Sequence, residues 1–190
     1  MRNRISLPCA AALVLAGSAL ASAVSGEPAA ETFTAMASAK SEAASATAPV
    51  KIAIERFATE AERASVMNAV KTGGTPAVRQ VLAKMGDAGT IEVGQRSTPI
   101  KYAFARSTGA GRIVTLVTAE PILFLGAGLP NAKPKAGYDV AVALLVLDAN
   151  DAGHGELAPA AKVKTNESGA VVIDDYGAAK VWLKDVAKAK

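Results

Sequence analysis

The sequence predicts an α+β fold: an antiparallel β-sheet, sandwich-like or curled into a partial barrel, packed with an N-terminal helical hairpin. Helix-type spacing of apolar residues, with start and stop signals, is confined to residues 59–86. From residue 89 onward, short alternating or apolar segments are separated by clusters of Gly, Asn, Asp and Ser, which is typical of strands joined by turns. Short turns between consecutive strands favour antiparallel pairing.

The first 23 residues are predicted to be a cleavable signal peptide. Arg2 and Arg4 precede a run of apolar and small residues that ends in Ala-Ser-Ala, so we expect cleavage after Ala23. This run is rich in Ala, Gly and Ser and is marginal for the roughly 20 strongly apolar residues that a membrane span needs. We therefore expect a secreted or periplasmic protein with no stable membrane span after cleavage.

Removal of this peptide changes the composition of the mature chain. The single cysteine, Cys9, is lost, so we expect neither a disulfide nor thiol chemistry. The loss of two arginines lowers the formal net charge from +4 to +2. This small charge gives no reason to expect a nucleic-acid partner, which would call for a basic stripe. We also expect no cofactor.

The mature chain is predicted to contain a tether and one domain. Residues 24–49 are dominated by Ala, Ser, Thr and Glu, and they offer too little apolar bulk to offset the entropy of ordering. We interpret them as a flexible tether. Residues 50–190 have the usual length of a single domain and can bury a core without disulfides.

The domain begins with a strand that leads into a helix. Val50, Ile52 and Ile54 alternate with less apolar residues, as in a half-buried strand. Thr59 followed by Glu62 is a capping box, which predicts a helix over about 60–71 that ends at two glycines. The charges of this junction could suggest an acid/base site, but capping and surface exposure explain them. They are Glu55, Arg56, Glu60, Glu62 and Arg63.

A second helix completes the predicted hairpin. Thr75 is placed to cap it, and Pro76 occupies the first helical position. Gly86 is placed to end it. Its apolar stripe follows the spacing i, i+3, i+4, i+7 and consists of Val78, Val81, Leu82 and Met85.

Seven strands are predicted after this hairpin. The segment 138–148 is apolar on both faces and is expected to be a central strand that is covered on each side. Pro159 predicts an edge position or a bulge. The segments are 90–94, 99–106, 111–118, 138–148, 156–164, 170–176 and 180–187.

His154 is the histidine from which a metal or catalytic site would have to be built. It could act with Asp151 or Glu156 as a metal ligand or a general base. A zinc site needs further His or Cys ligands, and the mature chain has none. We therefore interpret His154 as an exposed turn residue and predict neither a catalytic nor a metal site.

Residues 120–139 are the segment that packing explains least. It begins as an apolar run and continues as a loop rich in Gly and Pro. One interpretation is an edge strand with a long surface connection. The other is a lip over a pocket or partner surface, with apolar contacts and a basic pair that attracts an anion. The residues assigned to this surface are Phe124, Leu129, Lys133 and Lys135.

Two functions are compatible with these observations. The first is a non-catalytic binding or structural module that acts on a partner protein, an envelope component or a small ligand, through its sheet face or the 120–137 loop. The alternative is a small carboxylate-dependent hydrolase that uses Glu120 with Asp174 or Asp175. Because Asp174 and Asp175 are adjacent on a strand, they point to opposite faces and cannot act as one pair. The large aromatic residues are assigned to the core or a sheet face and are Tyr102, Tyr138, Tyr176 and Trp182.

Four segments, in this order, resemble a family of secreted bacterial proteins without an assigned activity. They are IAIERFATEAER, GRIVTLVTAEPI, YDVAVALLVLDANDAGHGELAPAAKV and VVIDDYGAAKVWLKDV. The resemblance covers most of residues 50–186. It implies an extracytoplasmic bacterial domain and supplies no catalytic residue, cofactor or ligand.

Overall fold

The computed structural model describes residues 30–40, 45–122, 136–165, 171–177 and 180–189, which form nine strands and one helix. Every strand pairing is antiparallel. In chain order the elements are β1 (Glu31–Lys40), β2 (Ser45–Ile54), α1 (Glu60–Leu82), β3 (Gly89–Val93), β4 (Arg96–Thr108), β5 (Gly111–Thr118), β6 (Val140–Asp148), β7 (Ala152–Thr165), β8 (Val171–Tyr176) and β9 (Val181–Lys188).

Eight of these strands close into a barrel. Strands β1 to β7 pair in chain order, and β9 completes the circuit because it lies between β7 and β1. β8 stands outside the circuit and pairs with the second half of β7. The predicted α+β class and antiparallel sheet are therefore confirmed, and the sheet is a closed barrel.

Apolar side chains fill the barrel interior. Ile52, Leu145 and Leu157 are fully buried there, and smaller residues such as Ala37 and Ala143 face the same space. An eight-stranded barrel has an interior about wide enough for its own side chains. The core that the described strands enclose is thus packed with side chains.

α1 covers part of the outer barrel surface. It contacts β7 and, to a smaller extent, β4. Val66, Val70 and Leu82 of α1 belong to a second apolar cluster, which also contains Val142 and Val163 from the outward faces of the strands. The helix and the barrel interior therefore form two separate apolar layers on either side of the sheet.

The predicted helical hairpin is wrong. α1 runs from Glu60 to Leu82, and Gly74 is the residue inside it with non-helical angles (φ 59°, ψ −151°). The glycines do interrupt the helix, but the chain does not fold back. Thr75, predicted to cap a second helix, is 4% exposed, and its hydroxyl accepts a hydrogen bond from the backbone N–H of Val163 at 3.0 Å. This bond anchors the break to β7.

The structure also corrects the predicted tether. Residues 31–40 and 45–49 lie in β1 and β2, and Phe33 on β1 is fully buried. β1 pairs with both β2 and β9, so the barrel requires this strand to close. The folded unit therefore includes residues before position 50.

The junction between β2 and α1 confirms the capping prediction. The Thr59 hydroxyl accepts a hydrogen bond from the Glu62 N–H at 3.2 Å, and the Glu62 carboxylate accepts one from the Thr59 N–H at 2.8 Å. Arg56 binds the same carboxylate at 2.9 Å. Ile54 and Phe57 are buried on either side of the turn. These charges stabilise the start of a helix.

One strand prediction at the far side of the barrel is confirmed in part and another in full. The residues of β6 from Val140 to Ala143 are buried on both faces, as expected for the central strand 138–148, whereas Val146 is 42% exposed. The register between β6 and β7 shifts after Val140, which places Pro159 in a bulge. A proline lacks the N–H that a regular ladder would need there.

Candidate functional site

Three large apolar side chains are exposed among the described residues, namely Met36, Val146 and Trp182. Trp182 is the most exposed of them, at 50%. On β9 it lies between Val181 and Leu183, which are each 1% exposed and point into the barrel. Strand alternation therefore places the indole on the outer surface.

A hydrogen-bonded cluster holds this tryptophan in place. The Glu156 carboxylate accepts hydrogen bonds from the Tyr176 hydroxyl at 2.9 Å and from Lys180 Nζ at 2.6 Å. Lys180 Nζ also lies 4.9 Å from the centre of the Trp182 ring and 5.0 Å from that of Tyr176. One ammonium group thus bridges a carboxylate and two aromatic rings by a salt bridge and cation–π contacts.

The cluster changes the ionisation of its members. The hydrogen bond to Glu156 raises the pKa of Lys180 above its usual value. Burial raises the pKa of Tyr176, and its hydrogen bond to Glu156 adds to the increase. Both side chains therefore keep their protons at neutral pH, and both serve as hydrogen-bond donors.

The strand register extends this cluster into a row across the sheet. Trp182 of β9 lies opposite Glu156 of β7 on one side and Ser38 of β1 on the other. Ser38 in turn lies opposite Thr47 of β2. We call Glu156, Tyr176, Lys180, Trp182 and Ser38 the Trp182 site. It combines one half-exposed ring with carboxylate, ammonium and hydroxyl groups on a closed sheet.

A second charged cluster closes one end of the barrel. Arg112 of β5 binds Asp151 at 2.7 Å and Glu31 of β1 at 3.0 Å. Lys188 binds Glu31 at 2.8 Å and lies 3.5 Å from Asp151. Two positive and two negative groups balance in this cluster, and the Glu31 side chain is only 9% exposed. The arrangement is that of a structural ion-pair network.

An open cleft lies near the opposite end of the barrel. It is lined by the start of β4 and by the residues that follow β5, and the lining includes Glu120. The lining residues are Arg96, Ser97, Thr98, Glu120, Pro121 and Ile122. The cleft borders the start of segment 120–139, which the sequence suggests as a lip over a pocket or partner surface. The four residues assigned to that surface lie outside the described residues; they are Phe124, Leu129, Lys133 and Lys135.

The predicted catalytic alternatives are not assembled by the described residues. Asp174 pairs with Lys164 at 2.8 Å, whereas Asp175 accepts a hydrogen bond from the Tyr138 hydroxyl. The two aspartates thus have different partners, as their positions on opposite strand faces predict. Glu120 lines the cleft described above.

His154 lies exposed on β7, opposite Val146. Its two suggested partners are engaged elsewhere, since Asp151 binds Arg112 and Glu156 binds Lys180. In the part of the chain that the structure describes, no group of three or more His, Cys, Asp or Glu side chains is placed to hold a metal ion.

Strand alternation in the sequence already indicates the outward position of Trp182, although neither of the two predicted functions uses this residue. In the segment 180–187, Val181 and Leu183 flank the tryptophan, so alternation alone predicts that it points away from the core. Of the two predicted positions for Trp182, the core and a sheet face, the structure shows the sheet face. Its contacts with Glu156 and Ser38 could not be predicted, because they depend on how distant strands pair.

Comparison of the chain with family models, curated proteins and solved structures finds no match in any of the three. The described residues contain no helix that is both long enough and apolar enough to cross a membrane.

Proposed function

We propose that this chain is a non-catalytic binding domain that acts outside the cytoplasm and recognises a component of the bacterial envelope. The observation that carries the proposal is the exposure of Trp182, the only tryptophan of the chain, on the outer face of the sheet. Tryptophan is enriched among the residues that contribute most to binding, because one ring supplies a large contact area at low entropic cost.

The packing of the barrel supports recognition at the surface. Its interior is filled by apolar side chains of the described strands, so a ligand would contact the outside. α1 already covers the outward residues Val142 and Val163. Trp182 lies on the neighbouring strand β9, where it and Lys184 are exposed.

The N-terminal pattern supports the location. Arg2 and Arg4, the apolar run and the Ala-Ser-Ala sequence are what export by a cleavable signal needs.

A sedimentation assay tests the proposal with matched variants. Purified protein is mixed with a bacterial cell-envelope preparation, and the pelleted fraction is measured for the wild type, Trp182→Ser and Val146→Ser. Val146 is the control because it is 42% exposed on the same outer surface, outside the Trp182 site. The wild type and Val146→Ser should pellet, whereas Trp182→Ser should remain in solution. Equal behaviour of all three proteins would contradict the proposal.

The hydrolase alternative rests on Glu120, which lines the open cleft near Arg96. A carboxylate beside a basic group in a cleft is one arrangement that supports acid/base chemistry. A broad hydrolase screen with the wild type and Glu120→Gln tests it. Activity that disappears in Glu120→Gln would favour the enzyme over the binding domain.

A further inference from the structure

The neighbours of Trp182 restrict the chemistry of what it can bind. Along the row across the sheet, its partners are the carboxylate of Glu156 and the hydroxyl of Ser38. Lys180 lies over the ring. Met36, the nearest exposed apolar residue on β1, belongs to another row and lies opposite Lys184. Lys180 covers one face of the indole, so a partner would contact the part of the ring that stays exposed, beside these hydrogen-bonding groups.

These polar neighbours do not suit a purely apolar partner. An acyl chain or the apolar face of a helix would have to take the Glu156–Lys180 ion pair and the Ser38 hydroxyl out of water, and the desolvation of charged groups is costly even when they are paired. A ligand for this site needs an apolar face of about the size of one ring and a rim of hydroxyl or amide groups.

A pyranose ring has this combination. Its axial C–H groups form an apolar face that can stack on the part of the indole that Lys180 leaves exposed, and its equatorial hydroxyls both donate and accept hydrogen bonds. Glu156 offers acceptor oxygens, while Lys180 and Ser38 offer donors beside the same ring. We infer that the Trp182 site binds a sugar ring and that the envelope component recognised by this domain is a polysaccharide. The inference rests on the binding function proposed above.

The row also suggests that the ligand is longer than one sugar. Adjacent strands are about 4.8 Å apart, so the side chains from Trp182 on β9 to Thr47 on β2 span roughly 10 Å. Ser38 and Thr47 continue the hydroxyl groups beyond the tryptophan. A chain of at least two sugar units that crosses the strands would reach all of these groups.

The site is held ready for such a ligand. Lys180 is fixed by Glu156 at 2.6 Å and by two rings, and Tyr176 is fixed by the same carboxylate. These groups lie on or beside strands of a packed barrel. Ligand binding would therefore order few side chains, which lowers the entropic cost of association.

The test separates polysaccharide from the other envelope components. An envelope preparation is treated with protease and then with detergent, so that mainly polysaccharide remains, and pelleting of the full protein is measured as before. The wild type and Val146→Ala should still pellet. The dissociation constant should rise about tenfold or more for Trp182→Ala, which removes the ring, and about two- to fivefold for Ser38→Ala, which removes one hydrogen bond.

Fluorescence gives an independent readout, because all tryptophan emission comes from Trp182. Soluble oligosaccharides released from the same polysaccharide should shift the emission of the wild type to shorter wavelength and reduce its quenching by acrylamide. Phosphatidylglycerol vesicles should produce neither change. Trp182→Tyr should keep part of the binding to the pellet, because a smaller aromatic ring can still stack.

The possible failures have different meanings. Binding to the untreated preparation that disappears after protease, or a response of Trp182 to the vesicles alone, would overturn the sugar inference and leave the binding function standing. Binding to polysaccharide that survives in Trp182→Ala would place the sugar elsewhere and also overturn the inference. An indole that no envelope component protects from acrylamide would contradict both the inference and the proposed function.

Discussion

Arg112 Nη2 and the Glu31 carboxylate lie 3.0 Å apart across one end of the barrel, although 81 positions separate the two residues in the chain. The Arg112 guanidinium also lies 5.7 Å from the centre of the Phe33 ring. These contacts connect the first strand to the fifth without any backbone pairing between them. They show how the N-terminal strand is held in a barrel that β9 closes.

Removal of Arg112 should destabilise the fold. In Arg112→Met, Lys188 is the cationic partner that Glu31 and Asp151 keep among the described residues, and the Glu31 side chain is 9% exposed. The loss of one partner of a buried pair leaves the other charge poorly compensated, so we expect the free energy of unfolding to fall by about 2–4 kcal/mol. Lys164→Met is the control, because the Lys164–Asp174 pair is exposed and should contribute about 0.5 kcal/mol or less. Urea unfolding of the two variants checks the difference. Equal losses would mean that the network at the barrel end is not structural.

Replacement of Phe33 tests whether β1 is part of the core. Phe33→Ala removes a fully buried ring, and we expect a loss of about 3–5 kcal/mol in unfolding free energy. Thr34→Ala, on the exposed face of the same strand, should change stability by less than about 0.5 kcal/mol. If residues 24–49 were a tether, neither change would matter. Thermal or urea unfolding therefore distinguishes a barrel strand from a tether directly.

Stability should decrease in acid partly through Glu62. The hydrogen bond from Arg56 lowers the pKa of Glu62 below its usual value of 4.5. The unfolded carboxyl then binds protons more readily than the folded one. Its contribution is therefore complete above pH 4.5 and is lost as the pH falls through that value and through the lower folded pKa. Urea unfolding at pH 7 and pH 3 should show a smaller acid-induced loss in Glu62→Gln than in the wild type. An equal loss would remove Glu62 from the acid response.

The sequence predicted the elements whose signals are local. Thr59 and Glu62 marked the start of α1, the alternation of Val50, Ile52 and Ile54 marked β2, and Pro159 marked a bulge. In each case a few neighbouring residues decide the backbone conformation. This is the scale at which capping, alternation and proline geometry operate.

The elements that were missed depend on distant partners. β1 does alternate, but two of its inward residues are Ala35 and Ala37, so the apolar signal is weak. These small side chains are useful because other strands fill the barrel interior around them. The hairpin prediction failed because Gly74 and Pro76 indicate an interruption without its direction, which the hydrogen bond between Thr75 and β7 determines. The outward position of Trp182 could be predicted from the sequence, whereas its neighbours in the proposed site come from β7 and β1.

The emission of Trp182 tests the central claim most directly, since the claim is that a half-exposed indole becomes covered by an envelope component. In the free protein, the emission maximum should lie near that of tryptophan in water, and acrylamide should quench it readily. After addition of the envelope preparation, the maximum should move to shorter wavelength and the quenching should decrease. Emission typical of a buried indole in the free protein, or an indole that stays equally quenchable with the envelope present, would contradict the account.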